Sequence, residues 1–409
     1  MNKKVLEIIE KAENIAEPLF KVIDGDIALY NQKKVLNAFR EHRVAVRHFT
    51  QTTGYGYDDV GRDTLANVFA TVFGAESAIV SPNIVSGTHA LTITLFGLLR
   101  PNDTLLCITG APYDTLKEVI NGENIGSLKD FGVKYAEIGL KDGIIDLESV
   151  QNYLNTNSPK VIMLTRSRGY DWRDALSIDD IAKTVDFIRK IDKKAIIMVD
   201  NCYGEFIEKL EPTQVGVDIC AGSLIKNAGG GIAPTGGYVV GRKDLVEQVG
   251  YRLTAPSIGV EVGSYSGSYM LFYEGLFLAP SVVANAIKGT VLASISLDLL
   301  GYEVKPAPKV MPKDVICSIK FNTAEELIAF IQGVQYSSPV DSYVTPEPWA
   351  MPGYDHEVIM AAGTFVQGAS IELSADAPIK EPYVGYLQGG LTYQHFKIAL
   401  TECLERIVK

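Results

Sequence analysis

The segment Asp218–Gly237, which reads DICAGSLIKNAGGGIAPTGG, decides the fold. A short apolar run, Ile219–Leu224, has the length and composition of a buried strand, and Lys226 follows it directly. Open α/β sheets bind ligands at the carboxyl ends of their strands, so a lysine placed here can enter a pocket. Burial is expected to lower the pKa of Lys226 and to make its amine a nucleophile towards aldehydes. A lone lysine, however, is more often a solvated surface residue.

Short apolar runs alternate with longer amphipathic runs from about residue 75 onward. This alternation predicts an α/β fold with a mostly parallel central sheet and helices on both of its faces. The predicted strands are Ser77–Val80, Thr104–Thr109, Val133–Ile138, Val161–Thr165, Ala195–Val199, Ile219–Leu224 and Tyr238–Val240. The predicted helices are Thr88–Leu99, Leu147–Leu154, Ile178–Lys190 and the long Ser281–Leu300.

The chain is expected to fold as three parts, namely an N-terminal helical arm (1–50), a large α/β domain (51–303) and a small C-terminal α+β domain (304–409). The arm opens with an amphipathic helix whose apolar face carries Val5, Ile8, Ile9 and Ala12. The stretch Val304–Pro312 is the predicted linker, since proline stops both helices and strand pairing. The small domain is expected to contain strands Val315–Phe321, Glu357–Ala361 and Ala369–Leu373 and helices Ala324–Val334 and Leu391–Val408.

Composition excludes several classes of protein. The chain has 38 basic and 49 acidic residues, a net charge of −11, which argues against a nucleic-acid binder or a basic membrane-surface protein. The hydrophobic fraction of 47% is that of a globular protein. The cysteines and histidines lack the spacing of a disulfide scaffold or of a metal site. No secretory leader and no apolar run of about 18 residues is evident, so a cytoplasmic protein is expected.

Two further polar residues follow predicted strands. Asp200 ends the apolar run Ala195–Val199, and a buried carboxylate there requires a cationic partner such as a protonated pyridine nitrogen. Tyr113 follows another strand, where its ring can stack on a planar cofactor and its phenol can donate a proton. The alternatives are a turn or capping aspartate and one ordinary tyrosine among 20.

An anion site is predicted where the first helix of the sheet begins. Ser86, Gly87 and Thr88 open this helix and offer free backbone N–H groups, hydroxyl groups and the positive end of the helix dipole. These are the groups that hold a phosphate. The alternative is that Ser86 only caps the helix.

Together these residues supply a lysine, a carboxylate, a phosphate cradle and a stacking ring, which pyridoxal 5'-phosphate (PLP) requires. Their order along the chain resembles that of the fold-type I PLP enzymes, within them the cystathionine/methionine lyases, and most closely the methionine gamma-lyase-like proteins labelled as aluminium-resistance proteins. The resemblance spans nearly the whole chain. It is carried by the segments GYGYDDVGRDTL, SGTHAL, GAPYDTL, VDNCYGEF and SLIKNAGGGIAPTGGY.

The resemblance implies a role for each matching residue. Lys226 would carry PLP and move the substrate's α-proton, Asp200 would keep the pyridine nitrogen protonated, and Tyr113 would stack on the ring and protonate the departing thiolate. Ser86, Gly87, Thr88 and Ser223 would hold the phosphate. A tyrosine and an arginine would reach the phosphate of a neighbouring subunit, and the candidates are Tyr55, Tyr57 and Arg62, of which Tyr55 is also a candidate to bind the substrate. A homodimer or homotetramer with shared active sites would follow.

The chain departs from this pattern at the substrate carboxylate. Enzymes of this fold commonly bind it with an arginine of the C-terminal domain, but no arginine occurs between Leu253 and Glu405. Arg166 and Arg168, which follow the predicted strand Val161–Thr165, are the candidates to replace it, and structural ion pairs are the alternative role for both.

The predicted function is a PLP-dependent carbon–sulfur lyase that acts on a sulfur amino acid, by elimination of the cystathionine beta-lyase or methionine gamma-lyase type. Two alternatives remain open. The same cofactor serves aldolases, transaminases and racemases, although Pro234 stands where many aminotransferases carry a phosphate-binding arginine. The missing carboxylate arginine also allows a PLP-binding protein without turnover.

Overall fold

The computed structural model describes residues 2–350 and 356–408, which contain two main β-sheets. The strands, in chain order, are β1 (Ser77–Ser81), β2 (Thr104–Cys107), β3 (Lys134–Glu137), β4 (Leu140–Lys141), β5 (Ile144–Ile145), β6 (Val161–Thr165), β7 (Ile196–Asp200), β8 (Ile219–Ser223), β9 (Gly237–Gly241), β10 (Glu303–Lys305), β11 (Ile316–Lys320), β12 (Val358–Ala361), β13 (Ser374–Pro378) and β14 (Val384–Gln388).

The larger sheet has the strand order β1-β9-β8-β7-β6-β2-β3. Only β9 runs antiparallel to its neighbours, so the prediction of a mostly parallel central sheet is confirmed. The smaller sheet, β10-β11-β14-β13-β12, is antiparallel and is built from the C-terminal part of the chain. A separate two-stranded ribbon consists of β4 and β5.

The helices lie around these sheets. They are α1 (Lys3–Val22), α2 (Leu29–Glu41), α3 (Val60–Phe73), α4 (Gly87–Leu98), α5 (Asp114–Asn121), α6 (Leu147–Leu154), α7 (Ile178–Ile191), α8 (Lys243–Leu253), α9 (Met270–Leu299), α10 (Ala324–Tyr336) and α11 (Tyr393–Ile407). A π-helical turn, Ile23–Ala28, joins α1 to α2. The apolar face of α1 buries Val5, Ile9 and Ala12 as predicted, but Ile8 is only half-buried and Ala16 completes the face instead.

The middle strands β6, β7 and β8 of the larger sheet end at the same edge, each in a polar residue. Strand β7 is buried at every position, as expected for a strand covered by helices on both faces. Its register pairs Asp200 with Thr165 of β6 on one side and with Ala221 of β8 on the other. The segments that follow Thr165, Asp200 and Ser223 therefore leave the sheet side by side.

Two predictions for the C-terminal region are wrong. The segment Ala369–Leu373 is buried but forms turns, because the Glu372 carboxylate accepts hydrogen bonds from the Phe365 and Val366 N–H groups and holds the chain in a loop. The strands of this region are β13, which begins directly after Leu373, and β14, which follows β13. The predicted linker Val304–Pro312 begins too early, because Glu303–Lys305 pairs with β11. The boundaries drawn at residues 50 and 303 stay predictions.

Helix α9 starts eleven residues before the predicted Ser281, since Pro280 lies within the helix and does not end it. By length and composition alone this helix could cross a membrane, but 67% of its most apolar window is buried inside the protein. It packs against α1, β10 and β11 and against the turn that follows β8, and so joins the arm to the smaller sheet and to the Lys226 turn. This is the position of a core helix.

Candidate active site

A pocket of about 330 Å³ opens where the strands of the larger sheet end. Lys226, Asp200 and Tyr113, which the sequence predicts as site residues, all line it. Residues of the smaller sheet, among them Asp376 and Tyr386, form the opposite wall. The pocket therefore lies between the two sheets.

Lys226 enters the pocket from a tight turn after β8. Glycines make this turn possible, because a Cβ atom on Gly229 would lie 1.7 Å from the Leu224 carbonyl oxygen and one on Gly230 would lie 2.4 Å from the Gly275 carbonyl oxygen in α9. Gly230 also has a φ of +57°, in the left-handed region. The turn can thus pack closely against α9 while the lysine points away from it.

The electrostatic surroundings of Lys226 differ from the expectation. Its Nζ lies 4.2 Å from the centre of the Tyr203 ring. Burial alone would lower the pKa of Lys226, but the negative charges that Cys202, Tyr203 and Asp200 can carry raise it above its ordinary value. The predicted lowering is therefore wrong for the pocket in this state, because the acidic groups surrounding the amine outweigh its desolvation.

Asp200 is a buried carboxylate at the end of β7, as predicted. Its Oδ1 accepts a hydrogen bond of 3.1 Å from the Cys202 N–H group. Burial raises the pKa of Asp200, and the positive charge of Lys226 partly lowers it again. A second cation near this carboxylate would favour its ionised form.

The predicted anion cradle lies next to the pocket, at the start of α4. Ser86 does cap the helix, since its Oγ accepts a hydrogen bond of 3.0 Å from the His89 N–H group. The Ser223 hydroxyl faces this start and is buried without a hydrogen-bond partner. A Cβ atom on Gly87 would come within 3.2 Å of the Ser223 side chain and 3.4 Å of Cys202 Sγ. The helix N-terminus and the unpartnered Ser223 hydroxyl offer the donors that a small anion requires.

Tyr113 connects the cradle to the pocket. Its hydroxyl lies 2.9 Å from Thr88 Oγ1, and its ring lines the pocket beside the end of β2. Burial of the hydroxyl, together with the nearby Asp200 carboxylate, raises the pKa of the phenol. Tyr113 consequently keeps its proton at neutral pH and can act as a proton donor.

Arg166 and Arg168 both form buried ion pairs. The Arg166 guanidinium bonds to Glu208 Oε2 at 2.9 Å and to the Gly204 carbonyl oxygen at 2.7 Å, and this residue does not line the pocket. Arg168 makes a two-pronged contact with Asp314, with N–O distances of 3.1 and 3.0 Å. The geometry favours the structural alternative for both, because their charges are already neutralised inside the protein.

Arg173 is a pocket residue that sequence reasoning missed. Its side chain is 7% exposed and lines the same pocket as Lys226. Its Nη atoms donate to the carbonyl oxygens of Thr165, Ser167 and Asp174, while its Nε is buried without a hydrogen-bond partner. The acid closest to Nε, Asp171 at 3.7 Å, is itself mostly exposed. Arg173 can therefore still receive an anion.

The N-terminal candidates lie outside the pocket of their own chain. Tyr55 and Tyr57 are 73% and 63% exposed, with their ring centres 5.6 Å apart. Arg62 Nη1 donates to the Gly56 carbonyl oxygen at 2.9 Å, and its Nε pairs with Asp63 at 2.9 Å. Their predicted contact with a neighbouring subunit stays a prediction.

The chain resembles known proteins over its whole length. A family model described as methionine gamma-lyase matches residues 5–408. The uncharacterized protein YnbB of Bacillus subtilis (strain 168) is 50% identical over 388 residues, which is 94% of this chain and 92% of YnbB.

Two solved structures superpose closely on this fold. A carbon–sulfur lyase involved in aluminium resistance, from Clostridium novyi NT, has 51% identity and a TM-score of 0.96, with 100% of this chain and 97% of that chain covered. A protein from Clostridium acetobutylicum, provisionally described as a cystathionine beta-lyase involved in aluminium resistance, has 51% identity and a TM-score of 0.97, with 100% and 96% covered. The family match and the fold agree with the lysine, carboxylate and anion cradle of the pocket, and the chain belongs to the methionine gamma-lyase family of carbon–sulfur lyases.

Proposed function

We propose that the protein is a PLP-dependent carbon–sulfur lyase that eliminates a thiol from a sulfur amino acid. One observation carries the proposal. The pocket that holds Lys226, Asp200 and Tyr113 adjoins the unpartnered Ser223 hydroxyl at the start of α4. A buried hydroxyl facing a helix N-terminus suits a phosphate, and a lysine near a buried carboxylate suits an aldehyde-bearing pyridine.

The residues present fit PLP. Ser86, Gly87, Thr88 and Ser223 would hold its phosphate, with Tyr113 stacked on its ring. Asp200 would pair with the ring nitrogen, and Lys226 would provide the covalent attachment. When bound, the cofactor supplies an electron sink that stabilises negative charge at the substrate's α-carbon.

The chain's own residues move the protons. Lys226, held over the Tyr203 ring, would take the α-proton in its neutral amine form. Tyr113, whose raised pKa keeps its phenol protonated, donates a proton to the departing thiolate. Overall, the carbon–sulfur bond breaks, one water is consumed, and a thiol, ammonia and a 2-oxo acid are released.

Arg173 is the residue that we propose for the substrate's α-carboxylate. Arg166 pairs with Glu208 and the buried Glu211, and Arg168 pairs with the buried Asp314, whereas Arg173 Nε has no hydrogen-bond partner. A guanidinium suits this role, since it offers parallel N–H donors to the two oxygens of a carboxylate.

A multimer completes the proposal. We propose a homodimer or homotetramer in the cytoplasm, in which exposed Tyr57 and Arg62 of one chain reach the phosphate of its neighbour. The names of the two Clostridium proteins support elimination from a sulfur amino acid such as cystathionine.

The test is a spectrum of the purified protein with PLP, before and after L-cystathionine, L-methionine and L-cysteine. Borohydride reduction and peptide mapping should then find the pyridoxyl group on Lys226. We expect one amino acid to change the spectrum and to yield a 2-oxo acid. A labelled Lys226 without any 2-oxo acid would leave a PLP protein that is no lyase for these substrates. Folded protein that binds no PLP would refute the proposal.

A further inference from the structure

The wall of the pocket opposite Lys226 carries an acidic group that the elimination does not use. Asp376 lies on β13 directly opposite Tyr386 of β14, and both side chains line the pocket. Asp376 is only half-buried, which leaves its carboxylate accessible from the pocket.

Tyrosine rings surround this carboxylate. The ring centres of Tyr170 and Tyr386 are 5.1 Å apart, and a hydrogen bond joins Tyr170 to Asp376. Tyr203 packs against the apolar cluster that contains Tyr386. Burial raises the pKa of the Tyr203 phenol, and the charge of Asp376 raises it further. We call Tyr170, Tyr203, Asp376 and Tyr386 the tyrosine–aspartate corner. Since Lys226 Nζ lies over the Tyr203 ring, this corner adjoins the reacting end of the pocket.

The corner is arranged to receive a cation. Among the residues that the structure describes, no lysine or arginine forms an ion pair with Asp376, and burial raises its pKa to about 7. Aromatic faces and a carboxylate are the two groups that attract an ammonium ion in a desolvated site. Neither arginine that lines the pocket is paired with Asp376, since Arg168 pairs with Asp314 and the ion-pair partner of Arg173 is Asp171.

We propose that the tyrosine–aspartate corner binds a positively charged amino group on the departing part of the substrate, so that the enzyme selects sulfur amino acids whose thiol product is an aminothiol. The inference rests on the proposed lyase function and narrows its substrate class. The substrate's own α-amino group must approach the cofactor at Lys226, so the corner meets the other end of the molecule. The elimination itself is unchanged.

The test compares two probes of equal size, S-(2-aminoethyl)-L-cysteine and S-propyl-L-cysteine, which differ in one distal ammonium group. Binding is measured at pH 8 from the cofactor absorbance of the Lys226→Ala holoprotein, in which turnover is blocked. The ratio of kcat/KM values is measured separately in protein that retains Lys226. We expect the aminoethyl probe to be favoured about tenfold or more, and Asp376→Asn to remove most of that preference.

The matched control is Asp114→Asn, which changes a half-exposed acid at the rim of the same pocket. It should keep the preference. Equal affinity for both probes, or a preference that survives Asp376→Asn, overturns the inference but leaves the lyase function intact. A holoprotein whose absorbance responds to no amino acid refutes the function and the inference together. The melting temperature of each variant shows whether it folds. If Asp376→Asn does not fold, Tyr386→Leu, which removes one ring of the corner, takes its place and must reduce the preference.

Discussion

Glu205 is a fully buried carboxyl group that supports the Lys226 turn. Its Oε1 accepts a hydrogen bond of 2.7 Å from Tyr238, and its backbone oxygen accepts one of 3.1 Å from Asn227. Its Oε2 has no hydrogen-bond partner, and burial raises its pKa from 4.5 to about 8. The folded state therefore holds a proton on Glu205 that the unfolded chain releases above about pH 4.5.

Because the folded state binds this proton more tightly, Glu205 makes the protein less stable as the pH rises. The contribution of Glu205 to stability is fully present below pH 4.5 and falls by about 1.4 kcal/mol per pH unit until the pH passes 8. Glu205→Gln, which is neutral at every pH, should lack this slope. Urea unfolding of both proteins between pH 5 and pH 8.5 measures the difference. Parallel stability curves would contradict the raised pKa.

Arg173 offers a second prediction at the scale of one residue. Arg173→Gln should raise KM for the amino-acid substrate about 10- to 100-fold, the effect of losing a charged hydrogen bond, while the affinity for PLP is retained. Steady-state kinetics and a PLP titration measure the two effects. Lys117→Gln, which removes an exposed cation lining the same pocket, is the matched control. An unchanged KM in Arg173→Gln would exclude the carboxylate role.

Single residues also show where sequence reasoning ends. Lys226, Asp200 and Ser223 could be predicted because each ends or follows an apolar strand. Arg166, Arg168 and Arg173 all follow the same strand within eight positions, so spacing cannot rank them. Only the contacts distinguish them, because Arg166 and Arg168 each pair with a buried acid, whereas one donor of Arg173 has no hydrogen-bond partner.

Helix α4 carries a prediction at the scale of one element, since its first turn is the proposed phosphate cradle. Gly87→Ala would place a Cβ atom 3.2 Å from Ser223, and such overpacking costs about 1–3 kcal/mol. We expect the affinity for PLP to fall about tenfold or more, and that for pyridoxal, which lacks the phosphate, to fall less. Fluorescence titration of the cofactor-free protein measures both affinities.

The control for this substitution is Gly139→Ala, because a Cβ atom there has no heavy atom within 4 Å. It should leave both affinities unchanged. Equal losses for PLP and pyridoxal in Gly87→Ala would place the phosphate elsewhere.

Strands that are buried on both faces could be predicted from the sequence, whereas strands that depend on a pairing partner far away in the chain could not. The run that forms β7 is apolar until its last residue, Asp200, and every position of the strand is buried, so its sequence predicts a strand without reference to its partners. Strand β13 reads SADAP, with an aspartate and a proline, and exists only because β12 and β14 pair with it. The more apolar Ala369–Leu373 beside it is a loop, since polarity alone does not reveal which segment has a pairing partner.

At the scale of the molecule, the pocket lies between two sheets, and the proposed phosphate-binding residues Ser86, Gly87 and Thr88 beside it are only half-buried. Tyr55 and Tyr57 are large aromatic side chains that project from their own chain, far more exposed than such residues usually are. If they complete a neighbour's site, two proteins with different defects should repair each other. Lys226→Ala lacks the amine, whereas Tyr57→Ala lacks the contribution to the neighbouring chain.

Mixing the two inactive variants under conditions that exchange subunits should restore activity. Half of the random dimers pair one variant with the other, and one of their two sites then combines an intact Lys226 with an intact Tyr57, giving about a quarter of the wild-type rate. Sedimentation should show a multimer for both variants. The control is a mixture of Lys226→Ala protein with Asp200→Ala protein. Each site takes Lys226 and Asp200 from one and the same chain, so every site in this mixture has one of the two defects. The mixture should therefore stay inactive. A Tyr57→Ala protein that is fully active by itself, or a monomer in sedimentation, would show that each chain holds a complete site.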